Sequence, residues 1–204
     1  LMSLSIYVLV GFRRNDRRSN EAAMKYFTLG SVASAVLLYG MALVYGATGS
    51  LQIREILSWI QQHPESMDGI FMIGSWLIVI GFLFKVASVP FHAWMPDVYQ
   101  GASTPITGFM TTGIKAASFA AFIRVYYSMG YAKGLPELLQ TNVHYVLWVC
   151  AAATMLLGNV IALTQVNLKR MLAYSSIAHT GYLLVGLMAA GRTEETFAPM
   201  VLYL

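Results

Sequence analysis

The hydrophobic positions of the chain fall into long continuous runs that are separated by short polar stretches. Five runs are long enough to cross a bilayer, because a spanning helix needs about 20 apolar residues. These runs cover residues 24–47, 69–89, 105–127, 143–163 and 171–190. They are continuous rather than alternating, which predicts helices and not the strands of a membrane barrel. The pattern therefore predicts an all-α polytopic membrane protein.

Two shorter apolar runs, residues 1–12 and 197–204, lie at the ends of the sequence. Both are too short to span a bilayer, and we interpret them as two partial transmembrane helices. Residues 1–204 would then be a single membrane domain from the middle of a longer protein. The segment 51–62 (LQIREILSWIQQ) places its apolar residues toward one side. It predicts an amphipathic helix on the membrane surface, and an ordinary folded loop fits almost as well.

Composition supports the membrane assignment and excludes other classes of protein. Of the 204 residues, 57% are hydrophobic and 11% are charged, whereas soluble domains carry about 25% charged residues. The single cysteine, Cys150, excludes a disulfide framework within the chain. The net charge of +4 is explained by membrane topology, so it does not indicate a nucleic-acid partner.

The positions of Lys and Arg assign the two faces of the membrane. Arginines cluster at 13–18, before the first complete span, and Lys169 and Arg170 follow the fourth span. Counting the spans places both basic segments on one face, which we predict to be cytoplasmic. The loops 49–68 and 191–196 fall on the other face and carry more acidic than basic residues. Asn20 is the candidate N-cap of the first complete span.

Two lysines lie inside predicted spans, and they are the strongest functional signal in the chain. Lys85 lies in the run 69–89 and Lys115 in the run 105–127. A charge at membrane depth costs about 2.5–3.5 kcal/mol on insertion scales, so such residues usually face a bundle interior and have a function. The complete runs contain no Asp or Glu, which predicts that the intramembrane charge is entirely basic. Snorkelling to the headgroups is the alternative, and it is stronger for Lys85.

Pro90 predicts a break in the helix that contains Lys85. Proline has no N–H and clashes with the preceding turn, so we expect the helix to break about one turn after Lys85. His92 follows the break, and its imidazole can accept and release a proton near neutral pH. If the chain stayed helical, His92 would lie about 10 Å along the axis from Lys85. A structural histidine is an equally good interpretation of His92.

Two long stretches resemble a known family of membrane proteins. They are residues 81–117 (GFLFKVASVPFHAWMPDVYQGASTPITGFMTTGIKAA) and residues 162–186 (ALTQVNLKRMLAYSSIAHTGYLLVG). Both are similar to the proton-channel domain of the antiporter-like subunits of NADH-quinone oxidoreductase, respiratory complex I. The form PDVYQGA is closest to the N type of these subunits. The resemblance implies a bundle of about fourteen helices with inverted repeats, each containing a broken helix, of which this chain is the central part.

The resemblance implies proton-transfer roles for Lys85, Lys115, His92 and Lys25. Lys85 matches the lysine of the broken helix, and Lys115 matches a lysine of the next helix that links two half-channels. Lys25 matches a lysine of the preceding helix, and a place in the cytoplasmic basic cluster is the alternative for it. The family also has a glutamate directly before the position of Leu1, which would be the partner of Lys85.

The function implied by the resemblance is proton translocation coupled to electron transfer from NADH to quinone. The chain would be one subunit of this enzyme in a bacterial inner membrane, with other complex I membrane subunits and the lipid bilayer as partners. NADH, FMN, iron–sulfur clusters and quinone would be handled by other subunits, because the chain has no Gly-rich nucleotide fingerprint and one cysteine. The alternatives are a cation/proton antiporter, a membrane-bound hydrogenase subunit, and a non-conducting structural subunit.

Overall fold

The computed structural model describes residues 2–63, 69–130, 135 and 137–190. These residues form helices joined by turns, and no strand occurs among them, so the all-α prediction is confirmed. The helices are α1 (Met2–Val10), α2 (Arg17–Thr48), α3 (Ile53–Gln62), α4 (Gly69–Lys85), α5 (Trp94–Gly101), α6 (Thr104–Phe109), α7 (Lys115–Ser128), α8 (Glu137–Leu163) and α9 (Leu168–Ala190). A π-helical turn, Met110–Ile114, joins α6 to α7.

Four of the five predicted spans are long and apolar enough to cross a membrane. They are Arg17–Thr48, Thr104–Tyr127, Leu139–Leu163 and Leu168–Ala189. The fifth predicted span, 69–89, ends earlier than expected, because α4 ends at Lys85. The chain then turns and continues as α5, so α4 and α5 are the two halves of the broken helix.

The start of α2 also differs from the expectation. The helix begins at Arg17, and Asp16 is its N-cap, with a side chain that accepts the N–H of Arg18 at 3.0 Å. Asn20, the candidate cap, lies inside the helix and donates its amide to the carbonyl of Arg14 at 2.8 Å. Aspartate and asparagine are equally good caps, and the structure uses the earlier residue, Asp16. Arg17 and Arg18, which were assigned to the loop, therefore lie in the first turn of α2.

Glycines allow two pairs of helices to pack closely. A Cβ on Gly40 of α2 would lie 2.8 Å from the carbonyl oxygen of Gly74 of α4. On α8, a Cβ on Gly158 would lie 2.8 Å from the backbone nitrogen of Ala178 of α9. Such small residues are typical of helix contacts in membranes. The bundle therefore consists of two close pairs, α2 with α4 and α8 with α9.

Aromatic and aliphatic side chains fill the core between α3, α4 and α7, and large apolar side chains also cover the outer faces. Phe82 of α4 stacks on Phe122 of α7 with ring centroids 5.0 Å apart, which joins these helices in the core. Ile56 and Ile60 of α3 are buried against the same cluster. Large apolar residues such as Leu156 are exposed on the outer faces, as expected for surfaces toward lipid. The position of α3 at the membrane surface stays a prediction.

The two basic segments lie at the same end of the bundle, as predicted. Arg18 of α2 and Arg170 of α9 line one polar pocket. Their assignment to the cytoplasm stays a prediction. The loop 191–196, the terminal run 197–204 and the acidic positions 65 and 68 lie outside the described residues.

Candidate functional site

The chain breaks directly after Lys85. Ala87 has a φ of 57°, in the left-handed region that non-glycine residues rarely adopt. Pro90 has no N–H, so it cannot donate to the carbonyl of Val86, its helical partner four residues earlier. The Val89–Pro90 peptide bond is cis. The break therefore comes earlier than the turn after Lys85 that the sequence predicted.

Hydroxyl groups from α8 and α9 supply hydrogen bonds that the break removes. Thr180 Oγ1 of α9 donates to the carbonyl of Val86 at 3.0 Å. Thr154 Oγ1 of α8 accepts the N–H of Val89 at 2.9 Å and lies 3.1 Å from Ser88 Oγ. Both threonines and Ser88 are buried, so these bonds satisfy groups that water does not reach. The break is therefore a fixed part of the fold.

Lys85 directs its amine toward α1 and α2. Its Nζ donates to Ser3 Oγ at 3.0 Å and to Ser34 Oγ at 3.4 Å. Tyr7 and Lys85 line the same cavity. A Cβ on Gly30 would collide with the Tyr7 hydroxyl, so glycine at this position permits the approach of Tyr7. These contacts place the amine between helices, against the snorkelling alternative.

Lys115 is the first residue of α7 and directly follows the π-helical turn. Its side chain is buried, with 8% of its surface exposed. Nζ donates to the carbonyl oxygen of Ser176 on α9, and to Ser176 Oγ at 2.9 Å. The amine is therefore held inside the bundle by neutral oxygens. Within the described part of the chain, neither Lys115 nor Lys85 forms an ion pair.

One cavity connects the two lysines. It has a volume of about 230 Å³ and is lined by both Lys85 and Lys115. Other polar residues on its wall are Ser3, Tyr7, Tyr26, Tyr99 and Ser118. A water molecule occupies about 30 Å³ of liquid, so several waters fit in this cavity. No carboxylate is among the described residues that line it.

His92 is not brought to this cavity. The chain after Lys85 turns instead of continuing as a helix, so the expected helical spacing between Lys85 and His92 does not apply. The Nδ1 atom of His92 is buried and has no hydrogen bond of normal geometry among the described residues, although the Pro90 carbonyl is near. In the same part of the chain, no group of three or more His, Cys, Asp and Glu side chains could hold a metal ion.

Lys25 belongs to a separate cluster at the end of the bundle that carries the basic segments. Its Nζ lies 2.8 Å from Asp97 Oδ2 and 2.8 Å from Glu21 Oε1. Arg170 Nη1 lies 2.6 Å from Asp97 Oδ1. Lys169 Nζ donates to the carbonyl of Ala102, the C-cap residue of α5, at 2.9 Å. The second half of the broken helix is therefore held by cations from α2 and α9.

Asp97 is the charged residue that the sequence analysis missed. The expectation that the charge among the helices is entirely basic is incomplete, because it counted only the apolar runs and Asp97 lies between two of them. The sequence did contain a signal for it. Asp97 is the acidic residue of the broken-helix stretch, and both basic segments were placed on one face of the membrane, where they could pair with it. Ser176 and Thr180 were also missed, and no sequence spacing identifies partners that come from a distant helix.

Comparisons with known proteins agree over the whole chain. Residues 1–204 match the family model described as NADH:quinone oxidoreductase/Mrp antiporter, transmembrane. NADH-quinone oxidoreductase subunit N of Trichlorobacter lovleyi is 50% identical over 96% of this chain and 39% of its own length. The chain thus spans well under half of the length of this relative.

Two solved structures resemble the fold. A chain in respiratory complex I from Thermus thermophilus with bound aureothin has a TM-score of 0.75 at 39% identity, over 98% of this chain and 41% of its own. A chain in an archaeal membrane-bound sulfane sulfur reductase has a TM-score of 0.80 at 29% identity, over 96% of this chain and 40% of its own.

Proposed function

This chain belongs to the NADH:quinone oxidoreductase/Mrp antiporter family of transmembrane proteins, and we propose that it transfers protons between Lys85 and Lys115. Its resemblance to the antiporter-like subunits is confirmed by relatives that are named subunit N. The observation that carries the proposal is the cavity of about 230 Å³ that both lysines line.

The partners of the two amines suit a lysine that gains and loses a proton. A carboxylate beside a lysine stabilises the charged form, and desolvation favours the neutral form. Among the described residues, Lys85 and Lys115 bind only hydroxyl and carbonyl oxygens. A serine hydroxyl both donates and accepts hydrogen bonds, so it can serve an ammonium or a neutral amine. Either protonation state can therefore keep its partner.

Water in the shared cavity would carry the proton between the amines. The wall combines apolar side chains with the hydroxyls of Tyr26 and Tyr99, and polar groups of this kind hold water in a cavity. Ionisable residues inside the membrane generally mark ion or proton paths. Lys85 would be the gated site, and Lys115 the next acceptor.

The two other predicted residues lie outside this short path. His92 stays a proton-transfer candidate, and its buried Nδ1 without a normal hydrogen bond supports a role away from the cavity. Lys25 lies between Asp97 and Glu21, which stabilise its charged form. This environment favours an anchoring role for Lys25 over transfer.

The driving force would come from the rest of a larger complex. The glutamate that the resemblance implies before Leu1 would lie three residues from Ser3, which contacts Lys85, and residues with this spacing share a helix face. Movement or protonation of that carboxylate would change the charge on Lys85. Other membrane subunits would be the partners, and NADH, FMN, iron–sulfur and quinone chemistry would take place in other subunits.

Lys115→Ala in the full-length protein tests the proposal. Proton uptake and NADH oxidation would be measured together in membrane vesicles that contain the assembled complex. We expect the protons moved per NADH to fall sharply, because the next acceptor is lost. The matched control is Arg124→Ala, which removes an exposed cation from the same helix and should keep the ratio.

An unchanged ratio in Lys115→Ala, with normal NADH oxidation, would contradict the proposal and favour a structural subunit. Transport that requires sodium and proceeds without NADH would instead indicate a cation/proton antiporter.

A further inference from the structure

Thr180 of α9 forms hydrogen bonds to a residue next to Lys85 and to the residue that binds Lys115. Its Oγ1 approaches two carbonyl oxygens, that of Val86 at 3.0 Å and that of Ser176 at 3.2 Å. Val86 directly follows Lys85 at the chain break. Ser176 provides the carbonyl that binds the amine of Lys115. One hydroxyl therefore lies between the break and the ligand of the second lysine.

The carbonyl of Val86 depends on this hydroxyl because of Pro90. In a continuous helix it would accept the N–H of residue 90, and proline has none. Val86 is fully buried, so water does not replace the missing donor. A buried carbonyl without a partner is unfavourable. Thr180 therefore stabilises the break by taking the place of the absent N–H.

Three hydrogen-bond donors approach the carbonyl oxygen of Ser176, which can accept only two of them. It lies within α9, where the N–H of Thr180 is its helical donor. The amine of Lys115 and the hydroxyl of Thr180 approach the same oxygen. A carbonyl oxygen has two lone pairs, so Lys115 and the Thr180 hydroxyl compete for it. The single hydroxyl proton of Thr180 is also shared between two acceptors.

We infer that Thr180 is a positioning residue that couples the proton on Lys115 to the chain break after Lys85. A charged Lys115 makes the stronger, charge-assisted bond to Ser176, and the Thr180 proton then points to Val86. When Lys115 loses its proton, the Thr180 proton turns toward Ser176, and Val86 loses its donor. Such coupling acts equally in both directions, so movement at the break would also bias Lys115.

Other ionisable groups surround this path. The cavity wall contributes Lys85, Tyr7, Tyr26 and Tyr99. Helix α9 carries Lys169, Arg170, Tyr174 and His179, and Cys150 of α8 lies near the break, where its carbonyl accepts the Thr154 hydroxyl. None of these groups is a carboxylate. The competition at Ser176 is therefore decided by the proton on Lys115.

Thr180→Val tests the inference, which rests on the proposed function. Valine keeps the branched shape of threonine and removes the hydroxyl. In the full-length protein within its complex, we expect Thr180→Val to lose most of the pumping per NADH that Lys115→Ala removes. Thr180→Ser restores the hydroxyl and should recover the wild-type ratio. The matched control is Thr154→Val, which removes another buried hydroxyl at the break, one whose hydrogen bonds go to Val89, Ser88 and Cys150 and not to Ser176.

A structural role alone would give a different result. Thr154→Val and Thr180→Val would then lower the amount of assembled complex similarly, with no change in protons per NADH, and that outcome overturns the inference. An equal loss of the ratio in both variants overturns it as well.

If Thr180→Val does not assemble, Thr180→Cys replaces it, because a thiol is a weak donor. Ratios equal to wild type in both Thr180→Cys and Thr180→Ser would then overturn the inference. A loss in Lys115→Ala without any loss at Thr180 would contradict only this inference, whereas no loss in Lys115→Ala would contradict the proposed function itself.

Discussion

Lys25 and the cavity lysines are the same residue type in opposite surroundings. Lys25 is half-exposed at one end of the bundle and forms ion pairs with Asp97 and Glu21. Lys85 and Lys115 lie between helices and bind only neutral oxygens among the described residues. The first environment stabilises a positive charge, whereas the second supplies no carboxylate from the described residues to do so.

The difference shows how one amine can serve two purposes. A charged lysine beside carboxylates connects helices, as Lys25 connects α2 to α5 through Asp97. A lysine without a carboxylate contributes little to such a connection. At membrane depth a residue of this kind usually marks an ion or proton path, which is the basis of the proposed role.

Replacement of lysine by arginine should separate the two environments most strongly. A guanidinium has a pKa about three units above that of an amine, so it holds its proton. In Lys115→Arg we expect the protons pumped per NADH to fall as far as in Lys115→Ala, because the guanidinium does not release its proton. Lys25→Arg keeps the charge that Asp97 requires and should pump within about twofold of wild type. Similar activities for the two variants in vesicle assays would contradict the comparison.

Asp97→Asn should break the ion-paired region without affecting the cavity lysines directly. It leaves Lys25 and Arg170 without their shared carboxylate. Because the side chain of Asp97 is 33% exposed, the free energy of unfolding should fall by only about 1–2 kcal/mol. Thermal unfolding of the purified complex would measure this loss.

The control for that experiment is Glu21→Gln. Glu21 is 59% exposed, and its removal should change stability by less than about 0.5 kcal/mol. Equal destabilisation by the two variants would show that Asp97 is not the centre of the cluster.

Gly30→Ala should sharpen the comparison from the side of Lys85. The new Cβ would push Tyr7 out of its place on the wall of the cavity that Lys85 lines. We expect a destabilisation of about 1 kcal/mol and reduced pumping per NADH. Gly46→Ala in the same helix meets no atom within 4 Å, so it should be neutral or stabilising. Equal thermal stabilities for both variants would contradict this packing.

The continuity and length of the apolar runs predicted most of the fold. The runs 143–163 and 171–190 correspond closely to α8 and α9, because a continuous apolar run in a membrane has few alternatives to a helix. The break was predicted from Pro90, since a missing N–H is a local property. The end of α4 at Lys85 was not, because it also depends on hydroxyls from α8 and α9.

The site could be predicted only as far as local chemistry allowed. Lys85 and Lys115 were identified from their position in apolar runs, and the structure places both on one cavity. The position of His92 depended on a helical path that the chain does not follow. Asp97, the partner of Lys25, and Thr180, which bonds the carbonyl after Lys85, come from other helices, so helix packing brings these groups together.

The π-helical turn before Lys115 decides which way the rest of that helix faces. Each residue of an α-helix advances by about 100° around the axis, and a π-helical turn adds one residue to the winding. A helical wheel counted from Pro105 would therefore misplace every side chain beyond Ile114 by about 100°. Lys115 meets Ser176 because of this register shift. If residues 105–115 wound as a regular α-helix, the amine would face about 100° away from α9, whereas deletion of one residue within 110–114 would remove the extra residue and keep the downstream register.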